Sequence, residues 1–193
     1  MSTLVFLLED RSMKELLEGL LPRLLPEGVE WKLIPHEGKS DLDRSIPRKL
    51  RAWQDPNARF VILRDQDSDD CRALKARLQD LCEPMAPGRV LVRSACSELE
   101  SWYLGDLSAL DRAFSCSLSA QQGKRKYRDP DVLGSPSAEL ARLVPRFAKV
   151  SGARAPGAVL SLDANRSRSF AHFVAGVRRH AAQVVERNRE EQA

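Results

Sequence analysis

In the first half of the chain, apolar residues fall in short unbroken runs separated by longer amphipathic stretches. TLVFLLE (3–9), VEWKLIPH (29–36), ARFVILR (58–64) and GRVLVRSA (88–95) are too short for helices and read as strands. The unbroken apolar run of the first suits a strand covered on both sides. Between them lie RSMKELLEGLLPRLL, a stretch around IPRKLRAW preceded by a polar loop EGKSDLD, and DDCRALKARLQDLC. In the first of these, Leu16, Leu17, Leu20, Leu21 and Leu24 form one helical stripe. Ser12 and Glu15 have capping-box spacing, and Pro22 is expected to weaken or end the helix. In the third helix Ser68 is positioned to cap, with Asp69 and Asp70 in a first turn that favours negative charge. ELESWYL reads as a further helix, and Trp31, Trp53 and Trp102 sit in apolar patterns that predict core positions.

Strands alternating with helices imply right-handed crossovers and a mostly parallel sheet, hence an α/β fold. After Asp106 the pattern changes. DLSALDRAF, SAELARLVPRFAKV, APGAVLSLD and SFAHFVAGVRRHAAQVVERN read as helices, the last with Ser169 as a cap. SLSAQQGKRKYRDPDVLGSP reads as a loop, and NREEQA is expected to fray. The organisation expected is an α/β core over residues 1–105 with a basic helical extension, 106–193, packed on it. No internal repeat or long low-complexity linker interrupts it.

Charge sharpens this division. Residues 1–105 hold 16 Lys and Arg against 18 Asp and Glu, and residues 106–193 hold 15 against 9, so −2 and +6 sum to the net +4. An acidic cluster beside a basic half fits a metal or catalytic site next to an anion-binding surface, although arginine-rich helices are also simply soluble. No apolar run is long enough to span a membrane. The absence of a signal-like start, together with four cysteines in no CxxC or regular framework, predicts a cytoplasmic protein with reduced thiols.

In a parallel sheet the chemistry gathers at the C-terminal ends of the strands. Glu9 ends the first strand, Asp65 and Asp67 end the third, and Glu98 and Glu100 follow the fourth, so three strand ends aim carboxylates at one edge. Oxygen ligands of this kind suit Mg²⁺ or Mn²⁺, with a phosphate oxygen and water completing the shell. Asp69 and Asp70 are assigned to helix starting. Only one of Glu98 and Glu100 is expected to reach the site.

Other readings fail on spacing. An EF-hand loop from Asp65 would need Gly and Glu where Asp70 and Ala76 stand. A haloacid-dehalogenase-like phosphatase normally carries its nucleophile on the first strand, which here ends in Glu9. GKS at 38–40 lacks the earlier glycine of a phosphate loop, and neither a GxSxG elbow nor a zinc signature is present.

Several basic groups could meet phosphate. Lys39 lies near the strand edge. Lys124, Arg125, Lys126 and Arg128 surround Tyr127 within GKRKYRDPD, where the ring could stack on a base or anchor the loop. Arg166 and Arg168 stand just before the last helix, where they could hold an anion or pair with Asp163 or Asp131.

The glutamate at the first strand end and the later DxD resemble a Toprim domain. More specifically, LLEDRSMKELLEGLLP, PHEGKSDL, FVILRDQDSDDC, CSELESWYLGD, KYRDPD and NRSRSF together resemble, over nearly the whole chain, the family called domain of unknown function 4276. That resemblance implies a Toprim-like sheet and an association with ATPases in bacterial defence. By the same resemblance Glu9 takes the general acid/base position, Asp65 and Asp67 the metal pair, and Glu98 or Glu100 a further acidic place. Asp10-Arg11 stands where a glycine often follows the Toprim glutamate, which argues against topoisomerase-like strand handling. The activity expected is metal-dependent cleavage of DNA or RNA. The alternatives are a non-catalytic partner subunit of an ATPase and a small-molecule phosphatase.

Overall fold

A computed structural model describes residues 3–190. It is an α/β fold whose strands β1 (Thr3–Leu8), β2 (Glu30–Pro35), β3 (Arg59–Asp65) and β4 (Val90–Ala95) form one sheet in the order β2-β1-β3-β4. Every pairing is parallel. Strand β1 is central and buried on both faces, which is why its sequence is an unbroken apolar run. Leu4, Phe6 and Leu8 face one apolar cluster, and Val5 and Leu7 face another. The second cluster is closed by Leu42, Ile46 and Leu50 of α2 (Lys39–Ala52) and by Leu74 and Leu78 of α3 (Cys71–Cys82).

The larger cluster holds the leucine stripe of α1 (Arg11–Leu24), Trp102 and Tyr103 of α4 (Glu100–Leu104), Leu107 and Leu110 of α5 (Leu107–Phe114), and Leu140 of α6 (Pro136–Leu143). It continues through Phe170, Phe173, Val177, Ala181 and Val184 of the long α8 (Arg168–Glu190). The short α7 (Arg154–Val159) lies against α1 so closely that a Cβ on Gly157 would stand 2.2 Å from the Leu16 carbonyl oxygen. Glycine at 157 is therefore fixed by a backbone-to-backbone approach. All four cysteines are free, and no described helix is long and apolar enough to cross a membrane.

The helix starts differ from the sequence reading. The cap of α1 is Asp10, whose Oδ1 accepts from Met13 N at 3.0 Å and from Ser12 Oγ at 2.6 Å. Ser12 is thus a donor to the cap, and Pro22 sits inside the helix, which ends two residues later. Asp70 rather than Ser68 caps α3, accepting from Arg72 N and Ala73 N. At α8 the Ser167 hydroxyl accepts from Phe170 N at 3.1 Å, while Ser169 lies within the helix. Helix α2 begins at Lys39, inside the stretch that reads as loop, because Gly38 turns the chain at φ +95°. Helix α6 stops at Leu143, short of Pro145, and the expected loop at 117–136 contains three short 3-10 turns. Trp102 is buried and Trp53 packs edge-on against Phe60, but Trp31 is 38% exposed because β2 is an edge strand. Of NREEQA, 188–190 continue α8 and 191–193 lie outside the described residues.

Helix α8 also half-buries His180. Burial, then the charges of Arg59 on β3, Arg93 on β4 and Arg179 on its own helix, push its imidazole down to about 4, against an opposing hydrogen bond with the Arg89 backbone. The folded protein thus takes up its proton later than the unfolded chain does. This contribution to stability is intact above pH 6.5 and is lost as pH falls from there toward 4. We expect the urea midpoint of His180→Gln to vary less than wild type across that window; parallel curves would contradict the assignment.

Candidate acidic site at the C-terminal edge of the sheet

Parallel register brings the ends of β1, β3 and β4 side by side, with Leu8 opposite both Pro35 and Leu63, and Asp65 opposite Ala95. Backbone hydrogen bonds then fasten the exits together. Glu9 N donates to Leu63 O at 3.1 Å, Gly38 N to Glu9 O at 2.9 Å, Gln66 N to Ala95 O at 2.9 Å, and Asp67 N to Ser97 O at 2.8 Å. His36 adds a ring contact of 2.8 Å from Nδ1 to Leu8 O. The strand ends are thus positioned by main chain, before any side chain acts.

Glu9 and Asp65 meet directly. Asp65 N donates to Glu9 Oε2 at 2.9 Å. Asp65 is 7% exposed, and its Oδ1 is buried with no hydrogen-bond partner. Burial, then the nearby charges of Glu9 and Glu100, push its carboxyl well above the usual range. Glu9 is raised too, by burial first, against the opposing hydrogen bond from Asp65. Glu100, at the first turn of α4 and 3% exposed, is raised mainly by burial. Three carboxyls therefore share a poorly hydrated edge that disfavours their ionised forms unless a cation joins them.

Two cations are built in. Arg64, 2% exposed, directs its guanidinium to Asp69 at 2.6 Å, Asp43 at 3.3 Å and Glu9 at 4.0 Å. Asp69 therefore serves Arg64, and of the two aspartates assigned to helix starting only Asp70 caps. Lys149, from the segment after α6, reaches Asp10 at 3.2 Å, and its charge is felt at Asp65 and Glu100. The buried hydroxyls of Ser101 and Tyr103 have no hydrogen-bond partner, and Tyr103 lies within the field of Glu100, Asp65 and Asp10.

The remaining carboxylates diverge. Asp67 has a left-handed backbone, φ 52°, and pairs with Lys39 at 3.1 Å, so Lys39 is already matched by a carboxylate. Glu98 turns away to start α6, accepting from Ser137 N at 2.7 Å and Ser137 Oγ at 3.0 Å. Of the glutamates after β4, Glu100 is the one beside Asp65.

The all-oxygen donor set and the partnerless Asp65 Oδ1 fit a hard divalent cation. Among the described residues, no three His, Cys, Asp or Glu side chains stand in an arrangement that could hold a metal ion by themselves. A fit at Asp65 would therefore need water and a substrate oxygen as well, which is how Mg²⁺ is commonly bound.

The sequence-predicted basic groups are largely spoken for. Lys126 pairs with Glu139 at 2.7 Å, and buried Tyr127 donates its hydroxyl to the same carboxylate. The ring therefore anchors the loop and is closed to a base. Lys124 donates to Gln121 Oε1, Arg166 to Gln122 O, and Arg168 pairs with Asp129 at 2.6 Å. Asp163 and Asp131, the partners considered for these arginines, instead take Arg178 and the Ser167–Ser169 turn. The cations that do reach the acidic edge, Arg64 and Lys149, escape the sequence reading. Arg64, a charge closing the run FVIL, carried a signal; Lys149 carried none.

The fold and site define an α/β protein with a desolvated carboxylate cluster at the C-terminal edge of a four-stranded parallel sheet. The chain belongs to the family described as Domain of unknown function (DUF4276), which matches residues 8–178. No curated protein and no solved structure matches it.

Proposed function

We propose that the acidic edge is a divalent-cation site for hydrolysis of phosphodiester bonds in DNA or RNA, in a cytoplasmic, Toprim-like protein that works with an ATPase partner. The observation that carries this is Asp65, a buried carboxyl with one oxygen unpartnered, held between Glu9 and Glu100. Asp65, with Glu100 beside it, would hold Mg²⁺ or Mn²⁺, and such an ion supplies charge neutralisation at phosphate and a more acidic bound water. Glu9, whose carboxyl burial raises above the usual carboxylate range, is the general acid/base. Arg64 orients it, and Lys149 with Asp10 limits the negative charge facing a phosphate.

The test is cleavage of labelled single- and double-stranded DNA and RNA with Mn²⁺, by wild type and Glu9→Gln. The variant should lose activity by at least ~10²-fold, the scale on which general acid/base groups act. Equal cleavage by both would remove Glu9 from the mechanism.

One observation favours a non-catalytic reading. Asp67 and Asp10 are matched by Lys39 and Lys149, and no three ligands are gathered among the described residues. In that reading the edge is a neutralised surface of an ATPase's partner subunit.

A further inference from the structure

Five arginines distant in sequence come together beside α8: Arg59 opening β3, Arg89 before β4, Arg93 within β4, and Arg179 and Arg187 on the helix. They are close enough to repel. After burial, Arg187 and Arg89 depress Arg59, and Arg179 depresses Arg93. His180 feels the charges of Arg59, Arg93 and Arg179, and its Nε2 is buried and without a hydrogen-bond partner among the described residues.

None of the five has a carboxylate partner among the described residues. Three spend donors on backbone carbonyls instead: Arg59 on Gly88 at 3.3 Å, Arg89 on Pro56 at 2.8 Å, and Arg93 on His172 at 3.0 Å. The contrast with Arg64, which has three carboxylates, is direct. Arg179 and Arg187 are exposed on α8 and eight residues apart, which spreads their charge over about 12 Å of helix. Such a row matches the repeated charges of a polymer better than a single anion.

At one end the row opens onto a cavity. Arg93 and Arg179 line a space of about 470 Å³ together with Lys75, and Leu74, Leu78, Val92 and Ala175 supply an apolar wall. Charge beside an apolar recess is the combination by which a single strand is held, backbone on the cations and an unstacked base against the protein.

We propose that the arginine row is a nucleic-acid track that holds the backbone of a single strand, with the cavity beside Arg93 receiving a base. The proposal rests on the reading of the chain as a nuclease, and it supplies that reading with a substrate-holding surface separate from the acidic edge. The loop around Tyr127, the basic cluster legible in the sequence, is not part of the track.

The experiment is fluorescence anisotropy of a labelled DNA single strand of about 20 nucleotides, long enough to cover an entire track. It is run over a series of salt concentrations with a chelator present. Arg179→Gln/Arg187→Gln should bind at least ~10-fold more weakly at low salt, and the slope of log affinity against log salt should become shallower by about 1.4, two lost contacts on a single strand. Arg48→Gln, an exposed arginine on α2, should leave the slope unchanged. Circular dichroism of each variant establishes that it is folded. Affinity indifferent to the double substitution, tighter binding of a duplex of equal length, or equal displacement by polyglutamate would each overturn the proposal. The chelator makes binding independent of cleavage. A chain that binds through Arg179 and Arg187 but takes up no Mn²⁺ at the acidic edge, with or without the strand, defeats the nuclease reading alone, and one that cuts while indifferent to them defeats the track alone.

Discussion

Replacing Asp65 with Asn should make the metal-free protein more stable while removing the proposed phosphodiester cleavage. The carboxyl is buried between Glu9 and Glu100 and is raised well above its ordinary range, so the folded state holds a proton that the unfolded chain releases. Its stabilising contribution is therefore complete below the unfolded carboxyl range and is lost as pH rises through the raised folded value. At neutral pH this position works against folding. Asn keeps the shape and removes the charge, so the gain should be on the order of 1 kcal/mol, or about 2–4 °C in Tm for a domain of this size. The gain should shrink as pH is lowered, because wild type then carries the neutral acid. Loss of the anionic oxygen should lower phosphodiester cleavage by at least ~10²-fold. Thermal melts from neutral to acidic pH, beside a cleavage assay, read both effects. A variant less stable than wild type at neutral pH would show that Asp65 is held as a structural ion partner.

Trp102→Ala should produce the largest loss of stability of any single truncation in the core. The indole is fully buried, with Phe170 and Phe173 at centroid distances of 5.2 and 5.0 Å, and its Nε1 donates to Ser169 Oγ at 2.9 Å. Its carbonyl receives the Asn165 side chain at 2.9 Å. One residue thus joins α4, two positions past Glu100, to the start of α8. Removing a buried Trp costs about 3–5 kcal/mol, a large share of the 5–15 kcal/mol typical of a whole domain. Trp102→Phe keeps most of the packing and loses the donor, for about 1–2 kcal/mol. Urea unfolding separates the two, and a Trp102→Ala loss below that of Trp102→Phe would contradict this account of the packing.

What the sequence revealed follows from the range of each interaction. Leu4–Leu8 and Phe60–Leu63 announce strands because a doubly covered strand has no polar face, and the carboxylates after them mark the sheet edge because main-chain register aligns strand ends. The caps were harder. Ser12 and Asp10, Ser68 and Asp70, and Ser167 and Ser169 offer similar oxygens within two residues, and the angle at which the chain enters the helix decides between them. Trp31 reads as core from its neighbours but lies on an edge strand, where it stays partly open to solvent. Lys149 stands far along the chain from Asp10 and meets it only because the segment after α6 folds back over the start of α1. The arginines drawn from residues 59, 89, 93, 179 and 187 are equally invisible before folding, whereas the cluster at 124–128 is conspicuous in sequence and partly neutralised by Glu139 in space.

Cleavage can depend on a partner protein, but the proposed ion binding by the acidic edge should not. The most direct test of the central claim is therefore calorimetric titration of Mn²⁺ into the purified chain and into Asp65→Asn, with a short oligonucleotide present to complete the coordination shell. The account predicts saturable binding by wild type that strengthens as pH rises through the raised carboxyl range of Glu9 and Asp65, and no binding by the variant. Equal binding by both proteins, or none by folded wild type at any pH, would contradict it.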